Sequence, residues 1–445
     1  MEYTGRLRLA DPEQKQGEGT RTVLIGDTVQ DAPPKITGPG LRLSGENGTL
    51  TLTDEVLSRG LLALGSTGSG KTNLIMTLLD GVLRARTQND IVIIFDAKQD
   101  FFRRFFDSHD PRHIVVSSLP QHQSYSRSWN IFDELPDGFP PMDDGVQSTL
   151  LELSAALFRS QESPQQPFFH MAARDVFRMV LTAFLRQADC AGDRSRLNNA
   201  ALLEFLDEAS TEQLLSMPGP GFGYVRSYLG SAASPTPQSL GVEGTLHAMT
   251  ASQLVSIFRR RTARGEFSMR RLIREKGGRV VFLEHDLARG TALAPLISML
   301  FDLAVKEQLS CGRGNLYLFA DELSVMPYVQ RLSDACNLGR SQGIKTVVGL
   351  QSISMLSDCY GQDKGTSIAA GFVNAFCFKA SDAPTREYIS DRFGRTFETV
   401  SSGSLHFQRE GKTVCDANIR SLRPGEAFCD LFGSPPFRMR FAEFK

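Results

Sequence analysis

No apolar run in this chain approaches the roughly eighteen consecutive residues that a membrane-crossing helix needs. The opening stretch, MEYTGRLRLADPEQK, has no signal-peptide core. The expectation is a cytoplasmic protein, membrane-associated only through a partner. Cysteine is sparse and unpatterned: Cys190, Cys311, Cys336, Cys359, Cys377, Cys415 and Cys429 show no C-x-x-C spacing. That argues against a zinc or disulfide framework and fits small buried thiols in a reducing compartment. Net charge is close to absent as well, at −1, so no bulk electrostatic pull on nucleic acid exists and any such contact must be a local patch. The basic residues are mostly arginine, which suits bidentate phosphate contacts. Internal repeats and low-complexity segments are missing too. What remains, 445 residues with 41% hydrophobic and 22% charged side chains, is enough chain for a globular protein larger than one ordinary domain.

The most informative stretch is LLALGSTGSGKT at 61–72. Four apolar residues, Leu61–Leu64, run into Gly65, Ser66, Thr67, Gly68, Ser69, Gly70, Lys71 and Thr72, which satisfy G-x-x-x-x-G-K-[ST] at every fixed position. The glycines let the backbone curl so that several N–H groups aim at one point. The helix expected from Lys71 onward turns its positive dipole end toward that point. Lys71 can reach the β- and γ-phosphates of a nucleotide, and the Thr72 hydroxyl can sit on Mg²⁺. The apolar strand before the loop and the helical NLIMTLLDGVL after it favour an ATP site over a plain Gly/Ser-rich turn.

Residues 1–60 read as a small β segment, with short alternating pieces at Arg21–Ile25, Leu41–Leu43 and Thr49–Leu52 separated by turns. Ile91–Phe95 and His113–Ser117 are buried-type strands, and strand–helix–strand rhythm predicts a parallel α/β sheet. From about Pro140 the pattern becomes helical. One stripe joins Phe169, Ala173, Val176, Phe177, Val180, Leu181 and Phe184, and no strand-like run interrupts it until Arg279–Leu283. The domain expectation is therefore 1–60 and 61–139 as the first part of a nucleotide-binding domain, 140–262 as an inserted all-α domain, and 263–445 as the second part. Further strands are expected at 315–322, 345–352 and 374–379, with closing strands at 425–431 and 437–441.

The strand Leu316–Ala320 ends in Asp321-Glu322. A P-loop ATPase needs one acid in the Mg²⁺ shell and a second to orient and deprotonate the attacking water; Asp321 fits the first role and Glu322 the second. Acid pairs at strand ends also occur as solvated turns, and the upstream GKT decides for function. Beyond them, Gln351 terminates an apolar strand, where it can hydrogen-bond the γ-phosphate or its water or simply cap a loop. Arg340, just before the same strand, reads as an arginine finger or as a surface ion pair.

Taken together, GSTGSGKT, FDAKQD, SWNIFDE, FFHMAARDVFRMVLTAFL, GRVVFLEHDLARGTALAPLISMLFDLAV, LFADELSVMPYVQRLSDACNLGRSQGIKTVVGLQSISMLSDCYG and LRPGEAFCDLFGSPPFRMRF resemble, in order, the type IV secretion and conjugation coupling proteins. These TraD/TrwB-like ATPases belong to the HerA–FtsK superfamily. The resemblance implies a RecA-like motor domain with an inserted all-α domain, hexamerising around DNA. It implies ATP and Mg²⁺ as cofactors, Arg340 acting in trans on a neighbour's nucleotide, and Gln351 sensing the γ-phosphate. It also implies a relaxase or a membrane-anchored secretion component as partner. Family members usually carry N-terminal membrane helices, and the sequence given shows none. Two rival readings accompany it: a cytosolic HerA/FtsK-like DNA pump for repair, packaging or phage defence, and an ATP-gated receptor for protein cargo that translocates no DNA.

For DNA, the densest positive stretch is Arg259, Arg260, Arg261, Arg264, Arg270, Arg271, Arg274, Lys276 and Arg279, opposed by Glu266 and Glu275. Arg259–Arg261 are the candidate phosphate contacts, and a solvated helical face is the alternative. No aromatic interleaving supports base stacking there. Lys98, in the loop after Asp96, and Arg103-Arg104 are further candidates.

Overall fold

The computed structural model describes residues 20–117, 119–158, 167–259, 264–287, 293–402 and 405–444. They form two compact units, one drawn from 1–95, 312–326 and 332–445 and the other from 96–311 and 327–331.

In the first unit the strands Leu61–Leu64, Asp90–Asp96, Asn315–Ala320, Ile344–Leu350 and Asn374–Phe378 run parallel. Leu61–Leu64, Asp90–Asp96, Ile344–Leu350 and Asn374–Phe378 are buried along their whole length, as expected of strands covered on both faces. Ile344–Leu350 lies between Leu61–Leu64 and Asn315–Ala320, while Asn374–Phe378 flanks Leu61–Leu64 on its other side. Glu426–Asp430 and Phe437–Arg440 then close the edge antiparallel. The class is α/β with a mainly parallel sheet, as the strand–helix rhythm indicates.

The expected N-terminal strands appear as a hairpin, Leu41–Gly45 with Gly48–Leu52, and as Thr20–Ile25. Thr20–Ile25 finds its partner far along the chain, pairing antiparallel with Arg395–Ser402, which in turn pairs with Leu405–Lys412. The hairpin buries Leu43, Leu50 and Leu52. Its Leu41 side chain lies where a side chain at Gly81, on the helix Lys71–Ala85, would come within 3.3 Å of it.

The second unit holds helices Asp144–Phe158, Pro167–Ala191, Asn199–Glu208 and Pro237–Met249 among others. Between 144 and 258 the described residues include no strand, only an isolated bridge between Ser231 and Ser234. Ala173, Val176, Phe177, Val180, Leu181 and Phe184 are buried as the stripe predicts. Phe169 is half-buried and faces Gly241, where a Cβ would come within 2.5 Å of its ring. The compact unit is larger than the segment 140–262, because it also takes in the parallel pair His113–Ser117 and Arg279–Glu284 and the helix Ala294–Cys311.

Within this unit three ionisable side chains sit at strand ends, largely shielded from solvent. Glu284 places both carboxylate oxygens 2.8 Å from His122 Nδ1. Asp96 accepts from the Phe102 N–H at 2.8 Å and the Lys98 N–H at 3.2 Å. Burial raises the Asp96 carboxyl to about 6, helped by the charges of Glu284 and Asp100 against those two N–H groups. Burial likewise raises Glu284 and lowers His285. A carboxyl raised from 3.8 to about 6 binds protons more tightly when folded. Its contribution to stability is complete below about pH 4 and lost as pH rises through about 6. Asp96→Asn is therefore expected to gain on the wild type by about 2–3 kcal/mol between pH 4 and pH 7 in denaturant melts. A stability difference independent of pH would rule this out.

Candidate nucleotide site

The parallel register determines which residues meet above the sheet. Ala320 pairs with Val348 and Leu350 with Leu64, so Asp321-Glu322, Gln351 and the Gly65–Thr72 loop emerge at one edge, side by side. The strand carrying Gln351 is the middle one, and Gln351 joins its two neighbours. Thr67 Oγ1 donates to Gln351 Oε1 at 3.1 Å, and Gln351 Nε2 donates to Glu322 Oε2. The other oxygen of Glu322 accepts from Ser324 Oγ, and Glu322 is only 4% exposed. A carboxylate held this way has a fixed direction for its lone pairs.

Thr72 Oγ1 donates to Asp321 Oδ2 at 3.0 Å. Two hard oxygen ligands this close, one of them an anionic carboxylate, fit a Mg²⁺ that keeps most of its waters and takes phosphate oxygens for the rest. Lys71 is buried, and its ammonium donates to the carbonyls of Gly65 at 2.5 Å and Ser66 at 3.0 Å. Its charge thus lies inside the loop. The helix Lys71–Ala85 starts directly behind it, with Gly70 as N-cap, so uncapped N–H groups and dipole point the same way.

Two of the loop glycines are required. Gly70 has φ +114°, and a Cβ there would lie 2.8 Å from the backbone of Gly425; Gly65 has φ +153° and a Cβ would meet Phe378 Cβ at 2.8 Å. The loop is therefore pressed against the ends of the strands Asn374–Phe378 and Ile344–Leu350 and the residues just beyond them. Ser66 N–H donates to Lys379 O at 2.8 Å, Gly65 N–H to Leu350 O at 3.1 Å, and Gly425 N–H to Ser69 O at 2.8 Å. Ser66 Oγ also donates to Ser381 Oγ and accepts from the Ser381 N–H, both at 2.8 Å.

Lys379, Ser381 and the Arg423–Glu426 turn escape inspection of the sequence, although the Pro424-Gly425 dipeptide is a turn signal. Gly349 escapes it as well. A side chain at this mid-strand glycine would lie 2.0 Å from the Asp321 carbonyl, so its absence lets the acid-bearing strand approach.

Arg340 lies elsewhere. It sits in the short turn Gly339–Gln342 before Ile344–Leu350, whereas Gln351 lies just past that strand. At about 3.3 Å per residue the strand separates them by about 20 Å. Arg340 is half exposed and its Nη2 lies 3.4 Å from Glu55 Oε1, an oxygen that also pairs with Arg59 at 3.0 Å.

The basic stretch is largely committed within its own unit. Arg270 pairs with Asp137 at 3.2 Å, Arg271 with Asp133 at 3.4 Å, Arg274 with Glu307 at 2.8 Å and Arg279 with Glu275 at 2.9 Å, while Lys276 binds Gln308. Arg259 is exposed with Asp207 3.7 Å away, and Arg260 and Arg261 lie outside the described residues. Lys98 is exposed.

Residues 45–409 match the family described as the type IV secretion-system coupling protein DNA-binding domain. Coupling protein TraD of Escherichia coli (strain K12) is 20% identical over 396 residues, covering 86% of this chain and 50% of TraD. The chain thus spans about half the length of that curated relative. Among solved structures, the bacterial conjugative coupling protein TrwBdeltaN70 in an unbound monoclinic form superposes with a TM-score of 0.75, at 19% identity over 97% of both chains. The plasmid coupling protein TrwB in complex with ADP and Mg²⁺ superposes with a TM-score of 0.70, at 19% identity over 92% of this chain and 90% of that one.

Proposed function

We propose, for a chain that belongs to the type IV secretion-system coupling protein family, that it hydrolyses ATP and uses the energy to move DNA through an oligomeric ring. The observation that carries this reading is the Thr67–Gln351–Glu322 chain of hydrogen bonds lying beside the Thr72–Asp321 pair. It connects the phosphate loop to a buried base in one unit.

In this reading Lys71 and the N–H groups at the head of its helix hold the β- and γ-phosphates. Thr72 and Asp321 hold Mg²⁺, which supplies charge neutralisation when bound. Glu322 orients the attacking water and takes its proton, and the in-line transfer then depends on position and electrostatics rather than covalent chemistry. Gln351, bonded to both Thr67 and Glu322, passes the presence of a γ-phosphate on to the base. The crystallised TrwB–ADP–Mg²⁺ complex supports the same ligand set here. Arg340 completes the site of the next copy in a homo-hexamer. The remaining partners are DNA and a relaxase or membrane-anchored secretion component. Among the described residues no helix is long and apolar enough to cross a membrane.

DNA-stimulated ATP turnover tests the reading. Turnover indifferent to DNA in wild-type protein shown to be oligomeric would overturn it in favour of an ATP-gated cargo receptor.

With Arg270, Arg271, Arg274 and Arg279 bound to carboxylates and Lys276 to Gln308, we place its DNA contact at Arg259, Arg260 and Arg261, with Lys98 as a second point. Replacing the three arginines by Gln is expected to weaken DNA binding and lower only the DNA-stimulated part of turnover. The slope of log affinity against log salt should flatten by about 2 to 3. An unchanged slope would move the contact elsewhere.

A further inference from the structure

The catalytic acids define which way a nucleotide lies. Asp321, Glu322 and Gln351 all stand on the Ile344–Leu350 side of the phosphate loop, so the γ-phosphate end points there and the nucleoside must leave on the opposite flank. That flank is built by the chain's last described residues. Arg423-Pro424-Gly425-Glu426 form a turn closed by Glu426 N–H to Arg423 O at 3.0 Å, with Gly425 at φ +79°, the arrangement of a type II turn with proline second and glycine third. Gly425 donates to Ser69 O and accepts from the Phe441 N–H, both at 2.8 Å.

From Phe441 the chain crosses the first turn of the phosphate-loop helix. There Asn73, the residue after Thr72, spends its whole carboxamide on that crossing: Nδ2 donates to Ala442 O at 2.9 Å, and Oδ1 accepts from Phe444 N–H at 2.6 Å. The Phe441 ring anchors the segment against Phe376 and Phe378, at centroid separations of 5.6 and 6.1 Å. Glu443 is exposed and Phe444 half-buried.

We infer that residues 441–444 form the nucleoside wall of the site, with Phe444 as the aromatic surface for the base and Asn73 as the residue that positions it. This rests on the nucleotide reading above. A polar side chain at the head of a phosphate-binding helix would ordinarily be free to face solvent or ligand. Here it ties down a segment some 370 residues away in sequence, and the tie falls where base and ribose must pass. Stacking accepts any base, so the wall predicts affinity for the nucleoside with little choice between purines.

The test compares ATP with magnesium tripolyphosphate, which fills the phosphate loop but carries no nucleoside. Loss of a positioning hydrogen-bond pair or of one stacking surface should weaken ATP about tenfold. Asn73→Ala and Phe444→Ala are each expected to raise the KM for ATP by that factor while leaving the inhibition constant of tripolyphosphate at the wild-type value. An equal loss for both ligands would place these residues in support of the loop and overturn the assignment, as would no change for ATP. Wild-type protein that binds neither ligand would overturn the nucleotide reading itself, and this assignment with it.

Discussion

Lys71→Ala is expected to abolish ATP hydrolysis, and Glu322→Gln to bind ATP while turning it over at least about a hundredfold more slowly. The two losses have different origins. Lys71 is the cation that donates to the Gly65 and Ser66 carbonyls. Truncating it removes the positive charge held inside the loop, which in the proposed mechanism meets the β- and γ-phosphates, so both binding and transfer suffer. Glu322→Gln keeps the volume of a side chain that is 4% exposed and keeps an acceptor oxygen for Gln351 or Ser324. The site stays assembled, but the amide cannot take the proton of the attacking water. Equilibrium binding of a fluorescent ATP analogue, read beside steady-state turnover, separates the two variants. Near-wild-type turnover in Glu322→Gln would remove that residue from the mechanism.

How much of the fold and the site is legible in the sequence depends on how local each signal is. The stretch Leu61–Thr72 is twelve contiguous residues, with strand, glycines, lysine and helix start adjacent in sequence, and the motif reads them directly. The acids at 321–322 are legible because a buried strand that ends in two carboxylates is itself a local pattern. Gln351 is half legible: its place at a strand end can be read, but its position between Thr67 and Glu322 depends on strand order, which no local window contains. The pairing of Thr20–Ile25 with Arg395–Ser402 is of the same kind. So is the docking of Gly425 on Ser69. The basic stretch is only partly legible for a related reason. Counting charges in a window cannot see Asp133, Asp137 or Glu307, which fold back onto Arg270, Arg271 and Arg274 and spend much of its positive charge inside the protein.

Arg340→Ala is expected to lose ATP turnover while each subunit still binds nucleotide with wild-type affinity. The reason is distance. Arg340 and the phosphate loop lie at opposite ends of Ile344–Leu350, about 20 Å apart at strand geometry, so this guanidinium cannot reach its own nucleotide. It is half exposed, and its ion pair to Glu55 is shared with Arg59. An exposed pair of that kind is worth about 0–1 kcal/mol, little enough to be exchanged for a phosphate on a neighbouring copy. A guanidinium supplied in trans typically accelerates phosphoryl transfer about 10³-fold or more, so the loss should be of that order. The mixing experiment isolates the trans geometry. Arg340→Ala subunits retain Glu322, and Glu322→Gln subunits retain Arg340, so a ring containing both has some interfaces with a complete site. Turnover of the mixture should exceed that of either variant alone and peak near equal proportions. A single-subunit role for Arg340 predicts no recovery at any ratio. Size-exclusion analysis of the same mixtures excludes failure to co-assemble, and rings that are fully mixed yet inactive would count against the trans assignment.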